Sequence, residues 1–189
     1  VTAEDTLIFL GDYVDGWSQA VATVDFLIAL NTTHNCIFIR GNHDELCLDW
    51  LQEGLHNPIW LQHGGAATKA DYEKANDKTV DEHMEFFQNL ENYYLDEKNR
   101  LFLHAGFTNL KGVDYEYFPK IFYWDRTLWE TALALNPGIT TESVLYPKRF
   151  KHYNEIYIGH TPVTQINETT PVNRANIWNI IQQKGKHTP

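Results

Sequence analysis

Hydrophobic positions along the chain fall into two patterns. Four short apolar runs, Leu7-Ile-Phe-Leu10, Cys36-Ile-Phe-Ile39, Leu101-Phe-Leu103 and Ile156-Tyr-Ile158, are rich in β-branched or aromatic residues. They lack a 3.6-residue period and read as buried strands. Between the first two, Gln19 to Leu30 is apolar at Val21, Val24, Leu27, Ile28 and Leu30, which is helical spacing. Strand, helix, strand over this length is a βαβ unit, and such units build parallel sheets. Further helices are expected at Glu45–Gln52, Ala66–Glu73, Val80–Leu90 and Asp125–Leu135. The chain therefore reads as α/β: one domain over residues 1–189, with a mostly helical insertion over about 45–95.

Composition narrows the partners. Hydrophobic residues make up 43% of the chain, enough for a core, so a disordered chain is excluded. The net charge of −10 argues against nucleic acid, whose phosphates need surplus Lys and Arg. A phosphorylated substrate remains compatible, because bound metal ions supply positive charge locally. Cys36 and Cys47 have no zinc-like spacing and read as reduced thiols in a cytoplasmic setting. No apolar run approaches membrane-spanning length, so no membrane partner is expected.

The chemistry clusters at the strand ends. The first run leads into Gly11-Asp12-Tyr13-Val14-Asp15, and the second into Arg40-Gly41-Asn42-His43-Asp44. The third leads into His104-Ala105-Gly106, and the fourth into Gly159-His160-Thr161-Pro162. Ligands of open α/β sheets bind at the carboxyl ends of strands. Mixed Asp, Asn and His donors suit borderline divalent ions such as Mn, Fe, Zn or Co. A pair of such ions activates a water and clamps the attacking and leaving oxygens of a phosphoryl displacement.

The segments GDYVDG, RGNHD, LHAG and GHTP resemble the motifs of calcineurin-like metallophosphoesterases, most closely the bacterial and phage serine/threonine protein phosphatases. The stretch WLQHGGAATKADY is similar to a segment of that subgroup, and diadenosine tetraphosphatases are close cousins. The resemblance spans residues 5 to about 179 and implies a central β-sandwich flanked by helices. It implies two divalent ions, Mn favoured over Fe or Zn. Asp12 would bridge both ions, and Asn42, His104 and His160 would complete the second site. His43 would act as general acid with Asp15 as its carboxylate partner, and Arg126 would bind phosphate. The implied activity is hydrolysis of phosphomonoesters, as protein phosphoserine or phosphothreonine or as a small phosphoester. A dinucleoside polyphosphate hydrolase and an inactive one-metal binding module are the alternatives.

Three departures qualify that reading. The family's opening strand and its Asp-x-His-Gly segment would precede Val1, and its C-terminal strands would follow Asn179, so the resemblance implies a chain cut at both ends with only the second metal site intact. Such a chain would show severely reduced activity. Asp81-Glu82-His83 is no substitute, because residues two apart on a helix face different ways. Gly16 stands where the phosphoprotein phosphatases carry a phosphate-binding Arg. Arg40 reads as structural, His63-Gly64-Gly65 as the end of one helix before another, and the aromatics from Phe118 to Trp129 as core or pocket wall.

Overall fold

The computed structural model describes residues 1–2, 4–55 and 57–181. The polar tail over residues 182–189, read from sequence as an abrupt ending, lies outside them. The chain divides into two compact units, one from Val1 to Glu91 and one from Asn92 onward.

In the first unit, β1 (Thr6–Phe9) and β2 (Asn35–Phe38) pair in parallel, with α1 (Ala20–Asn31) as the crossover. Both strands are half-buried rather than fully buried. The chain returns alongside β2 at Glu91, whose N–H donates to the Phe38 carbonyl while its own carbonyl accepts from Arg40 N–H. The core comprises Val24 and Leu27 of α1, Cys47 and Leu48 of α2 (Asn42–Glu53), and Trp60, Tyr72 and Phe87. α3 (Pro58–Trp60) leads through a kinked segment (Leu61–Gly65) into α4 (Ala66–Tyr72), followed by α5 (Asp77–Gln88). The apolar spacing locates α1, α4 and α5 to within three residues of their observed bounds.

One difference carries chemistry. α2 begins at Asn42, three residues earlier than hydrophobic spacing suggests. Its first turn is polar and is held by Asp44, whose carboxylate accepts the Gly41 N–H at 2.8 Å. Asn42 and His43 thus sit on a helix N-terminus rather than in a loop. The Gly64-Gly65 pair lies where one helix ends before another, as its sequence suggests: His63 (φ −94°, ψ 20°) and Gly64 (φ +114°, ψ −16°) leave helical geometry and kink the chain there.

In the second unit, five strands are ordered β3-β4-β5-β7-β6. β4 (Arg100–Leu103), β5 (Glu155–Ile158) and β7 (Ile177–Asn179) are parallel neighbours. β3 (Tyr93–Leu95) and β6 (Val172–Arg174) run antiparallel at the edges. One face carries Leu101, Leu103, Ile156, Ile158 and Ile177, all essentially buried, packed with Phe122 of α6 (Ile121–Trp124) and Leu128 of α7 (Thr127–Ala134). The other face carries a ring ladder, Tyr94, Phe102, Tyr157 and Trp178, with centroids 6.1, 4.8 and 6.4 Å apart. β3, β6 and β7 have three residues each, too few to establish a period-2 pattern. β3 interrupts the far end of the expected helical insertion.

Leu101 and Ile156 are register partners across β4 and β5 and are both fully buried. Leu101→Ala is expected to lower stability by about 2–5 kcal/mol. A urea titration would show this as a lower midpoint at unchanged slope.

Candidate metal and acid–base site

Parallel strands put their carboxyl ends at one edge, so β1 and β2 deliver two loops side by side. These loops touch backbone to backbone. A Cβ on Gly11 would meet Gly41 N at 2.5 Å, and a Cβ on Gly41 would meet Asp12 N and Asp12 Oδ1 at 2.3 Å. Only glycine fits at either position. Asp12 and Asp15 both take left-handed backbone conformations, φ +60° and +76°, which Asp tolerates better than most residues.

One buried carboxylate ties these loops together. Asp44 accepts the backbone N–H groups of Asp12, Tyr13 and Gly41, each at 2.8 Å. Burial, then the neighbouring charge of Asp12, pushes its pKa up to about 7, against the pull of those three donors. Asp12 in turn accepts the His43 N–H at 3.1 Å through Oδ1. Tyr13 donates its hydroxyl proton to the Ile39 carbonyl at 2.7 Å, closing the start of the β1 loop onto the end of β2.

His43 and Asp15 form a hydrogen-bonded pair in this unit. His43 Nδ1 lies 2.5 Å from Asp15 Oδ2. Burial opposes charge on the imidazole, but the Asp15 hydrogen bond and the charges of Asp12, Asp15 and Asp44 outweigh it and raise the His43 pKa. With Nδ1 donating to Asp15, Nε2 is the nitrogen left to exchange a proton.

The second unit repeats the strand-end device. His104 follows β4 and His160 follows β5, and Gly159 N–H donates to the His104 carbonyl at 2.8 Å. Both imidazoles are buried, with His104 Nε2 3.1 Å from His160 Nδ1. The His104 loop is held from outside. Ala105 N–H donates to the Phe122 carbonyl at 2.8 Å, and a Cβ on Gly106 would meet Asp125 Oδ2 at 2.3 Å. Asp125 caps α7 by accepting the Thr127 and Leu128 N–H groups, so the helix starts after the Trp-Asp-Arg segment. Arg126 is exposed and lines a cavity of about 90 Å³ with Thr161, the residue after His160.

A family model described as calcineurin-like phosphoesterase matches residues 2–181. The chain belongs to this family. The asymmetrical bis(5'-nucleosyl)-tetraphosphatase PrpE of Anoxybacillus flavithermus is 29% identical over 105 residues, which is 53% of this chain and 42% of that protein. The chain thus aligns with less than half the length of this curated relative. Among solved structures, a cold-active protein tyrosine phosphatase of a psychrophilic Shewanella species matches with a TM-score of 0.56 and 12% identity, over 94% of this chain and 60% of that one. A protein serine/threonine phosphatase of Saccharomyces cerevisiae matches with a TM-score of 0.53 and 15% identity, over 93% and 57%. These structural likenesses show the α/β phosphoesterase fold.

Members of this family typically bind divalent metals, and each unit's donors suit them. Two carboxylates crowd one pair of loops beside Asn42 in the first unit, and burial first, then the Asp12 charge, raises the Asp44 pKa. A cation beside Asp12 would relieve the crowding. In the second unit, two buried imidazole nitrogens face each other at a separation compatible with two ligands of one ion.

The structure brings Asp12, Asp15, Asn42 and His43 together in the first unit, and His104 with His160 in the second. It also shows what pattern reading missed. Asp44 was visible only as the last letter of RGNHD, and its three hydrogen bonds need the folded loops. Arg149 had no signal. It is buried and donates to the Phe107 and Thr127 carbonyls, each at 2.7 Å, fastening the loop after His104 to α7. Arg40 is engaged structurally, with Glu45 at 2.9 Å and the Gln88 carbonyl at 3.1 Å. His83 is fully buried between Asp25 and Tyr72, while Asp81 is exposed, so they do not share a face.

Asp44→Asn would turn an NH₂ group toward backbone donors that need an acceptor. Stability is expected to fall by about 1–3 kcal/mol. Calorimetric titration should show weaker Mn²⁺ binding as the Asp12 loop loosens.

Proposed function

We propose that this protein hydrolyses phosphomonoesters, with protein phosphoserine or phosphothreonine as the substrate class, in a metal-dependent reaction without a covalent enzyme intermediate. The observation that carries the reading is the His43–Asp15 pair at 2.5 Å, beside a carboxylate loop that gains from a cation. We assign Asp12 and Asn42 of the first unit, and His104 and His160 of the second, as the residues that would hold divalent metal. When bound, two divalent ions, Mn favoured, polarise the phosphoryl group and supply a nucleophile at neutral pH.

The chain's own residues do the rest. Asp15 holds the His43 ring in one tautomer and stabilises its protonated form. His43 Nε2 then gives its proton to the leaving oxygen. Arg126, exposed near Thr161, supplies a planar guanidinium suited to bidentate contact with phosphoryl oxygens. The strongly acidic chain favours a phosphorylated protein or small phosphoester over nucleic acid. Free Cys36 and Cys47 support a reducing, cytoplasmic setting. No helix among the described residues is long and apolar enough to cross a membrane.

A second reading, hydrolysis of a dinucleoside polyphosphate, is favoured by Gly16. This residue has φ +84°, a conformation in which an Arg side chain would be strained, so the position is not set up for the phosphate-binding arginine of the phosphoprotein phosphatases. The PrpE relative supports it as well.

Asp12→Asn tests the metal assignment. In full-length protein it should remove bound metal and lower turnover together, by at least about 100-fold. Retained Mn²⁺ with full activity would exclude Asp12 as a ligand. Parallel assays on a phosphoserine peptide and on diadenosine tetraphosphate separate the two readings. The first predicts faster cleavage of the peptide.

A further inference from the structure

The segment Trp60-Leu-Gln-His-Gly-Gly-Ala-Ala-Thr68 is not used by the metal ligands or by the strand-end loops. Trp60, Gly64 and Thr68 of this segment nevertheless contact the Asp15 loop. Trp60 Nε1–H donates to Asp15 Oδ2 at 2.6 Å, the same oxygen that His43 Nδ1 approaches. Thr68 Oγ1–H donates to Asp15 Oδ1 at 2.6 Å, and the same hydroxyl oxygen accepts Asp15 N–H at 2.9 Å. The Gly64 carbonyl accepts Gly16 N–H at 3.3 Å, and a Cβ on Gly64 would meet Gly16 N at 2.5 Å. A Cβ on Gly65 would strike the Trp60 indole at 2.3 Å, so this glycine leaves room for the indole in its donating position. Trp60 and Thr68 are both essentially buried.

A kink at His63 and Gly64, both outside helical backbone angles, separates α3 from α4. It lies between the indole of Trp60 and the hydroxyl of Thr68, which reach the two oxygens of one carboxylate. Asp15 itself sits on a left-handed backbone, φ +76°.

We propose that Trp60 and Thr68 are positioning residues for catalysis, which orient the Asp15 carboxylate so that His43 is aligned to protonate the leaving group. This rests on the phosphoester hydrolase reading above. In the assisted step the bond from phosphorus to the leaving oxygen breaks, and its electron pair stays on that oxygen. The proton from His43 Nε2 neutralises it. Water supplies the new oxygen on phosphorus, and a proton from that water restores His43.

The prediction is a dependence on the leaving group. An alkoxide from phosphoserine needs the proton, whereas p-nitrophenolate is stable without it. Trp60→Phe removes only the N–H donor and keeps an aromatic ring, and Thr68→Val replaces the hydroxyl with a methyl group of similar shape. In full-length protein loaded with Mn²⁺, each variant should lower kcat on a phosphoserine peptide by about tenfold or more, a part of the usual general-acid contribution. Turnover of p-nitrophenyl phosphate should change by less than about threefold, because that leaving group draws little on the acid. Thr68→Ser, which restores the hydroxyl, should recover the peptide rate. Thr68→Val carries the test if Trp60→Phe does not fold, as read by its thermal transition. Equal losses on both substrates would overturn the proposal and leave the segment a packing element, and so would no loss on either. If wild-type protein cleaves neither substrate, the phosphoesterase reading falls, and this inference falls with it.

Discussion

The first unit depends on one buried carboxylate. Asp44 has no access to solvent, and its two oxygens serve three backbone donors from two separate loops. An uncompensated buried carboxylate is costly, so its hydrogen bonds are needed for the fold itself. The same three bonds place Asp12, start α2 at Asn42 and bring His43 onto the helix N-terminus. The close approach of Gly11 and Gly41 follows, because loops drawn onto one carboxylate leave no space for a Cβ. Crowding Asp44 beside Asp12 leaves charge that burial penalises, and a divalent ion is the natural counterweight.

A second buried carboxylate, Asp15, divides the work. Asp44 is served by backbone alone, so it builds loops. Asp15 is served by three side chains, His43, Trp60 and Thr68, so it can set the state of an imidazole. Side-chain donors come from distant segments, which links the geometry of the His43 ring to helices well outside the strand ends. The second unit uses a different economy. Its two histidines are presented by parallel strands and braced by neutral hydrogen bonds and by Arg149.

Much of the site was legible because strand-end chemistry is local in sequence. A short apolar run, a glycine, then Asp, Asn or His can be read without knowing which strands are neighbours. The βαβ unit and the central helices were legible for a similar reason, since hydrophobic period reports which face is buried. The edge strands β3 and β6, and β7 beside them, were not legible. Three residues cannot establish a period, and their strand state comes from pairing: β3 with β4, β7 with β5, and β6 with β7. The early start of α2 escaped notice because its first turn is polar and is held by a carboxylate bonded outside the helix as well as within it.

What the sequence determined alone was the inventory: Asp12, Asn42, His43, His104 and His160 after strands, in a family whose donors suit divalent ions. Those identities follow from residue type and order, which need no folding to read. What tertiary structure alone decided was the partners of the buried charges. Whether Asp44 builds a loop or binds a ligand, and whether Trp60 and Thr68 are core or support for Asp15, depends on contacts between residues 28 to 53 positions apart. Local pattern cannot carry such contacts, because the desolvation that makes them worth forming exists only once the chain has closed around them.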